Sequence, residues 1–224
     1  MNMMESVLVF LEIVMINLLL SGDNAIVIAM AGRRLPPEQR RSAVWWGAAA
    51  AIVLRCVLTL GAIALLNIPF LRTVGAVLLL AIAYQLLMDH KEKSAHTQAA
   101  NTLAGAVWTI VLADFVMSLD NVLAVAAVAK GDTALLIIGI IMSIPIIIWG
   151  TNFIMRLLDK LPGLLYLGGG LLGYTAVEMA LGDPGWQPYR HLISADAERL
   201  IPLMAVSALL LVVLIVRKRN RQAG

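Results

Sequence analysis

Apolar positions in this chain come in long unbroken runs, not at the alternating or one-in-three spacing of a soluble fold. A membrane-spanning helix needs about 20 mainly apolar residues. Seven runs reach that length, near 6–31, 42–66, 69–88, 104–129, 133–155, 163–181 and 198–216. Short polar connectors separate them: RRLPPEQRR, NIP, DHKEKSAHTQAAN, KGD, RLLDKLP and GDPGWQPYRHLISADAE. The pattern predicts an all-α membrane protein with seven transmembrane helices. The connectors leave no room for a soluble domain, so one transmembrane domain is expected over residues 1–224. A content of 61% hydrophobic and 14% charged residues agrees with this class.

Charge orients the expected bundle. With the N-terminus outside, the inner loops and tail carry Arg33, Arg34, Arg40, Arg41, Lys91, Lys93, Arg156, Lys160, Arg217, Lys218, Arg219 and Arg221. That is 12 of the 17 basic residues, and cytoplasmic loops hold the excess of Lys and Arg. Multi-pass insertion in a bacterial cytoplasmic membrane, N-out and C-in, is expected. No Lys or Arg precedes the first run, so that run reads as a retained span and not a cleaved signal. Basic residues at helix ends do not suggest nucleic acid as a partner.

Two runs carry the same polar phrase. IVMINLLLSGDNAIVIAMAGR (13–33) and IVLADFVMSLDNVLAVAAVAK (110–130) align at a constant offset of 97 residues. Ser21, Asp23 and Asn24 recur as Ser118, Asp120 and Asn121, and Asn17 is matched by Asp114. In the N-out arrangement the two motif helices are antiparallel. The predicted architecture is therefore two inverted three-helix repeats, 6–88 and 104–181, plus an extra helix at 198–216. Secondary transporters of this build place the substrate near the midplane, between the repeats.

A carboxylate within a membrane helix is costly and marks a candidate site. Asn17, Ser21 and Asn24 share one helical face, as do Asp114, Ser118 and Asn121. Asp23 and Asp120 sit about 100° away on an ideal helix, and Gly22 is a point where the first copy can unwind. Glu12 lies three turns before Asp23 and lines an outer approach. Such a site offers carboxylate, amide and hydroxyl oxygens, which suit Mn²⁺, Mg²⁺ or Ca²⁺ better than Cu(I) or Zn²⁺. The competing reading is that Ser and Asn only knit helices together. Glu178 in the sixth run reads as a ligand, a proton carrier or an interfacial residue. Arg55, in the middle of the second, should pair with a carboxylate, and Asp23, Asp120 and Glu178 are the candidates. Cys56 reads as a packing residue. No phosphate-binding loop, nucleophile elbow or zinc-protease His pair occurs, so no enzyme and no cofactor are expected.

SGDNA followed by an Arg-rich loop, DFVMSLDNVLAVAA, the Arg of VLRCVLTLGA and a Glu in the sixth run together resemble the TerC family of integral membrane proteins. The resemblance covers essentially the whole chain and is similar to the compact branch named after YjbE and YkoY. It implies a fold related to LysE-type transporters and a role in manganese export. It also implies that Asp23, Asn24, Asp120 and Asn121 contact Mn²⁺, with Asp114 and Glu178 assisting. The chain departs from full duplication at Asn17 against Asp114 and at Gly22 against Leu119.

Three functions are weighed. One is an exporter of divalent cations, Mn²⁺ first, driven by an ion gradient with proton antiport, in which Asp114 is the first candidate to carry the proton. Another is a non-transporting membrane subunit or scaffold in metal or tellurite stress resistance. The third is an amino-acid or small-anion exporter, against which the paired acids argue. A divalent cation and the lipid bilayer are the partners expected, and a homo-oligomer is left open.

Overall fold

A computed structural model describes Leu11, Met15 and residues 22–66, 68–88, 102–128, 133–192 and 194–223. Among these residues the chain is entirely helical, with no strand. The α-helices are α1 (Gly22–Gly32), α2 (Pro37–Leu66), α3 (Leu71–Met88), α4 (Leu103–Val128), α5 (Thr133–Lys160), α6 (Leu164–Leu181) and α7 (Ala195–Ala223). A 3₁₀ helix, Pro184–Leu192, precedes α7. Five segments are long and apolar enough to cross a membrane: Pro37–Thr59, Leu71–Met88, Ile140–Lys160, Leu164–Leu181 and Asp196–Arg219. Leu103–Leu119 is a shorter apolar stretch.

Helices α2, α5 and α7 outrun the apolar limits expected from sequence, because their charged ends also favour helix. Pro37 begins α2, where a missing N–H costs nothing. Thr102 caps α4 by accepting the Gly105 N–H (3.1 Å), and Ser194 caps α7 by accepting that of Ala197 (3.2 Å).

The chain divides into two compact units. The first holds α1, α2, α4 and α5. In it α2 packs against α4, and α1 against α5, with further contacts of α1 to α4 and α2 to α5. Small residues permit this closeness. A Cβ on Gly47 of α2 would stand 2.7 Å from Ile110 Cδ1 of α4. Val27, Ala29, Ala43, Val44, Ala113 and Val116 are buried there, while Trp45, Trp46, Trp108, Trp149 and Phe153 point outward. Outward aromatic and aliphatic surface of this kind suits a lipid environment.

The turn after α1 is tied down by charge. Arg40 donates to the carbonyls of Leu35 (3.1 Å) and Arg33 (3.3 Å). Arg33 and Arg40 both reach Asp159, at 3.1 and 3.4 Å, so the C-terminal ends of α1 and α5 meet.

The second unit holds α3, α6, the 3₁₀ helix and α7. Glycines of α6 admit its neighbours. A Cβ on Gly169 would lie 2.5 Å from Leu87 Cγ of α3, and one on Gly173 would lie 3.0 Å from Leu209 Cδ2 of α7. Arg217 of α7 reaches the Leu87 carbonyl and the Tyr166 hydroxyl, fastening the ends of α3 and α6.

Asp183, buried after α6, caps α3 from outside that helix. Its carboxylate accepts the N–H groups of Phe70 and Thr73 (both 2.8 Å), the Thr73 hydroxyl (3.0 Å) and its own loop's Gly185 N–H (2.7 Å). Phe70 adopts a left-handed backbone (φ 63°) at this corner, and Trp186 stacks edge-on to its ring. Burial pushes the Asp183 carboxyl up. The N–H groups of Gly185, Thr73 and Phe70 and the Thr73 hydroxyl outweigh it and hold the carboxyl below its ordinary range.

Candidate functional site

Four buried polar residues of the first unit, Arg55, Thr59, Asp114 and Ser118, lie on α2 and α4, which pack together. Arg55, from α2, donates through Nη2 to Asp114 Oδ1 (2.5 Å) and through Nε to Ser118 Oγ (3.2 Å). Ser118 in turn donates to Asp114 Oδ2 (3.3 Å). The i, i+4 spacing of Asp114 and Ser118 puts both on the face of α4 that meets α2. Arg55 and Asp114 are each only 4% exposed. One turn on from Arg55, Thr59 returns its hydroxyl to the Arg55 carbonyl (2.7 Å), so it leaves the guanidinium to α4.

Asp114 is a partner of Arg55 that was not among the acids expected from the sequence. Of those expected, Asp23 lies within electrostatic reach, and the side chain of Asp120 lies outside the described residues. Asp114 is the residue that breaks the duplication against Asn17, and its extra charge is balanced by Arg55.

The first motif copy comes to the same region. Asp23, in the first turn of α1, lies within electrostatic reach of both Arg55 and Asp114. Its Oδ1 accepts the main-chain N–H of Asn24 (2.9 Å), a bond made at the start of a helix, where N–H groups lack intrahelical partners. Asn24 is 4% exposed, and neither Oδ1 nor Nδ2 has a hydrogen-bond partner. A buried amide without partners is costly in an apolar setting, so its oxygen is available for a ligand.

The other expected site residues divide as follows. Asp120 and Asn121 fall on α4, with their side chains outside the described residues, as are Glu12, Asn17 and Ser21 altogether. Glu178 belongs to α6 in the second unit, and it is exposed. Among the described residues no three acidic, histidine or cysteine side chains converge. The site's described oxygens are the two carboxylates of Asp23 and Asp114, the Ser118 hydroxyl and the Asn24 amide. Two further features were not read from the sequence, namely the buried Thr151 of α5 and the exposed Arg33–Asp159–Arg40 cluster. Thr151 is fully buried with its hydroxyl unpartnered.

Over residues 3–223 the chain matches the family described as "Integral membrane protein TerC family". The chain belongs to the TerC family. Within curated proteins it is 44% identical over 203 residues to "Uncharacterized membrane protein YjbE" of Bacillus subtilis (strain 168), a match that spans 90% of this chain and 91% of that protein. No solved structure matches. Membership of the TerC family makes the chain an integral membrane protein, in agreement with its apolar helices. The Arg55–Asp114–Ser118 cluster therefore lies in a TerC-family membrane helix bundle, where buried charge is expensive to keep.

Proposed function

We infer that this chain exports a divalent metal cation, Mn²⁺ first, across the bacterial cytoplasmic membrane by ion-coupled alternating access. The observation that carries this reading is the buried Arg55–Asp114 pair with Asp23 in electrostatic reach, next in sequence to the buried, unpartnered Asn24 amide. A scaffold has no use for uncompensated polar groups at such cost. In this reading the chain forms seven spans in two inverted repeats with an extra helix, N-terminus outside. Asp120 and Asn121 then supply from α4 what Asp23 and Asn24 supply from α1.

Charge accounts for the Arg. Three carboxylates, Asp23, Asp114 and Asp120, set against one guanidinium leave a net charge equal and opposite to a divalent ion. With the site empty, Arg55 holds Asp114 as an internal cation. The arriving metal draws its ligands from carboxylate, amide and hydroxyl oxygens, which hard divalent ions prefer. The proton returned in exchange goes to Asp23 or Asp120, since Asp114 already faces Arg55.

The test is the metal content of cells with and without the chain, measured for Mn, Mg, Ca, Fe and Zn together. Lower Mn in cells that carry it supports the reading. Identical contents for every metal would sink it.

A further inference from the structure

Among the described residues, Thr151 carries a buried hydroxyl without a partner. Hydroxyls inside helices ordinarily return to the carbonyl four residues back. Thr59, Thr109 and Ser207 all do so, to Arg55, Gly105 and Leu203 at 2.7, 2.9 and 2.8 Å. Thr151 does not: it is 0% exposed, yet its Oγ1 has no hydrogen-bond partner.

Its direction can be read from its row. Thr151, Met155 and Asp159 follow at i, i+4 and i+8 along one ridge of α5. Asp159 pairs with Arg33 at 3.1 Å, and Met155 Sδ would lie 3.6 Å from a Cβ on Gly32. The ridge therefore faces α1, and the two helices run side by side in the same direction. Asn24, Ile28 and Gly32 form the opposing row. With a rise of 1.5 Å per residue, Thr151 stands about 6 Å before Met155, and Asn24 about 12 Å before Gly32. Positions 151 and 24 are thus offset by about 6 Å along the axes of the two helices. Below them the interface ends at the Arg33–Asp159–Arg40 cluster.

We propose that Thr151 Oγ1 is a second contact for the transported cation, one step from Asn24 on the cytoplasmic half of a path between α1 and α5. This rests on the export reading above. A hydroxyl left free of its own helix keeps both lone pairs for a hard divalent ion.

The test uses the full chain in phosphatidylethanolamine/phosphatidylglycerol vesicles, with Mn²⁺ flux as one readout and thermal unfolding in detergent as the other. Thr151→Val keeps the shape and removes the hydroxyl. It should be at least as stable as the parent, because an unsatisfied buried group is gone, and its flux should fall about tenfold, the loss of one oxygen contact. Thr151→Ser should recover most of that flux. Unchanged flux in Thr151→Val, a serine variant no better than the valine, or a joint loss of flux and stability would each overturn the proposal. Asp23→Asn is measured beside it. If Asp23→Asn is dead while Thr151→Val is normal, the Thr151 contact alone falls. If the parent carries no Mn²⁺, or Asp23→Asn carries it normally, the export site itself falls.

Discussion

Arg55 Nη2 stands 2.5 Å from Asp114 Oδ1, with both side chains 5% exposed. In the middle of an apolar helix bundle this pair needs both members. Removing one leaves an uncompensated buried charge, which costs about 3–5 kcal/mol, whereas replacing both is often neutral. Arg55→Met should therefore destabilise the first unit by about 3–5 kcal/mol. The double change Arg55→Met, Asp114→Leu should recover most of that loss without restoring transport. Denaturation in detergent for the two single variants and the double variant checks it. Additive losses would show that the two side chains are not coupled.

Asp183 should act through stability rather than transport. Four donors meet its carboxylate at the start of α3. Asp183→Asn replaces two charged acceptor oxygens with one neutral one and should cost about 2 kcal/mol. Because the folded state holds this carboxyl below its ordinary range, its contribution is fully present above the ordinary carboxylate pKa and is lost as pH falls through the folded value. A melting-temperature profile against pH should show an acid limb in the parent that flattens in Asp183→Asn. Parallel profiles would remove the cap from the account.

Close packing at Gly169 gives a separate check on the second unit. A Cβ there would stand 2.5 Å from Leu87 Cγ, while one at Gly170 meets nothing nearer than 3.4 Å. Gly169→Ala should cost about 1–3 kcal/mol by overpacking, and Gly170→Ala much less. Equal melting temperatures for the two variants would argue against this contact of α3 with α6.

Asp159 is a milder case. Its side chain is 47% exposed, so the ion pairs with Arg33 and Arg40 are screened by water and salt. Asp159→Ala should cost less than about 1 kcal/mol, and the difference should shrink in high salt. A loss of several kcal/mol would mean that these charges are shielded from solvent.

Several helix positions were legible because length and hydropathy define them. Runs expected at 69–88 and 163–181 appear as Leu71–Met88 and Leu164–Leu181. Most of the first run, 6–31, lies outside the described residues, which hold Leu11, Met15 and the helix Gly22–Gly32 from it. The helix ends were less legible: Thr102 and Ser194 cap α4 and α7 earlier than the apolar runs begin, since capping depends on one side chain and not on a run. In the site, Asp23, Asn24, Asp114, Ser118 and Arg55 were all singled out from sequence. The pairing of Arg55 with Asp114 was not, because a guanidinium can reach any of several acids and the level of α2 against α4 brings Asp114 to it. Thr151 left no signal in sequence either. A threonine in a membrane helix usually satisfies itself, and its exception is visible only once the missing bond can be seen.

The most direct test of the central claim is Mn²⁺ flux in sealed vesicles that contain the purified full chain, comparing the parent with Asp23→Asn at equal protein content. Asp23 sits in the first turn of α1, partly buried, within reach of Arg55 and Asp114, so the change to an isosteric amide should spare the fold. The account predicts saturable Mn²⁺ flux in the parent and none above empty vesicles in Asp23→Asn, with melting temperatures that agree. Equal flux in the two, or a parent no faster than empty vesicles, would contradict it.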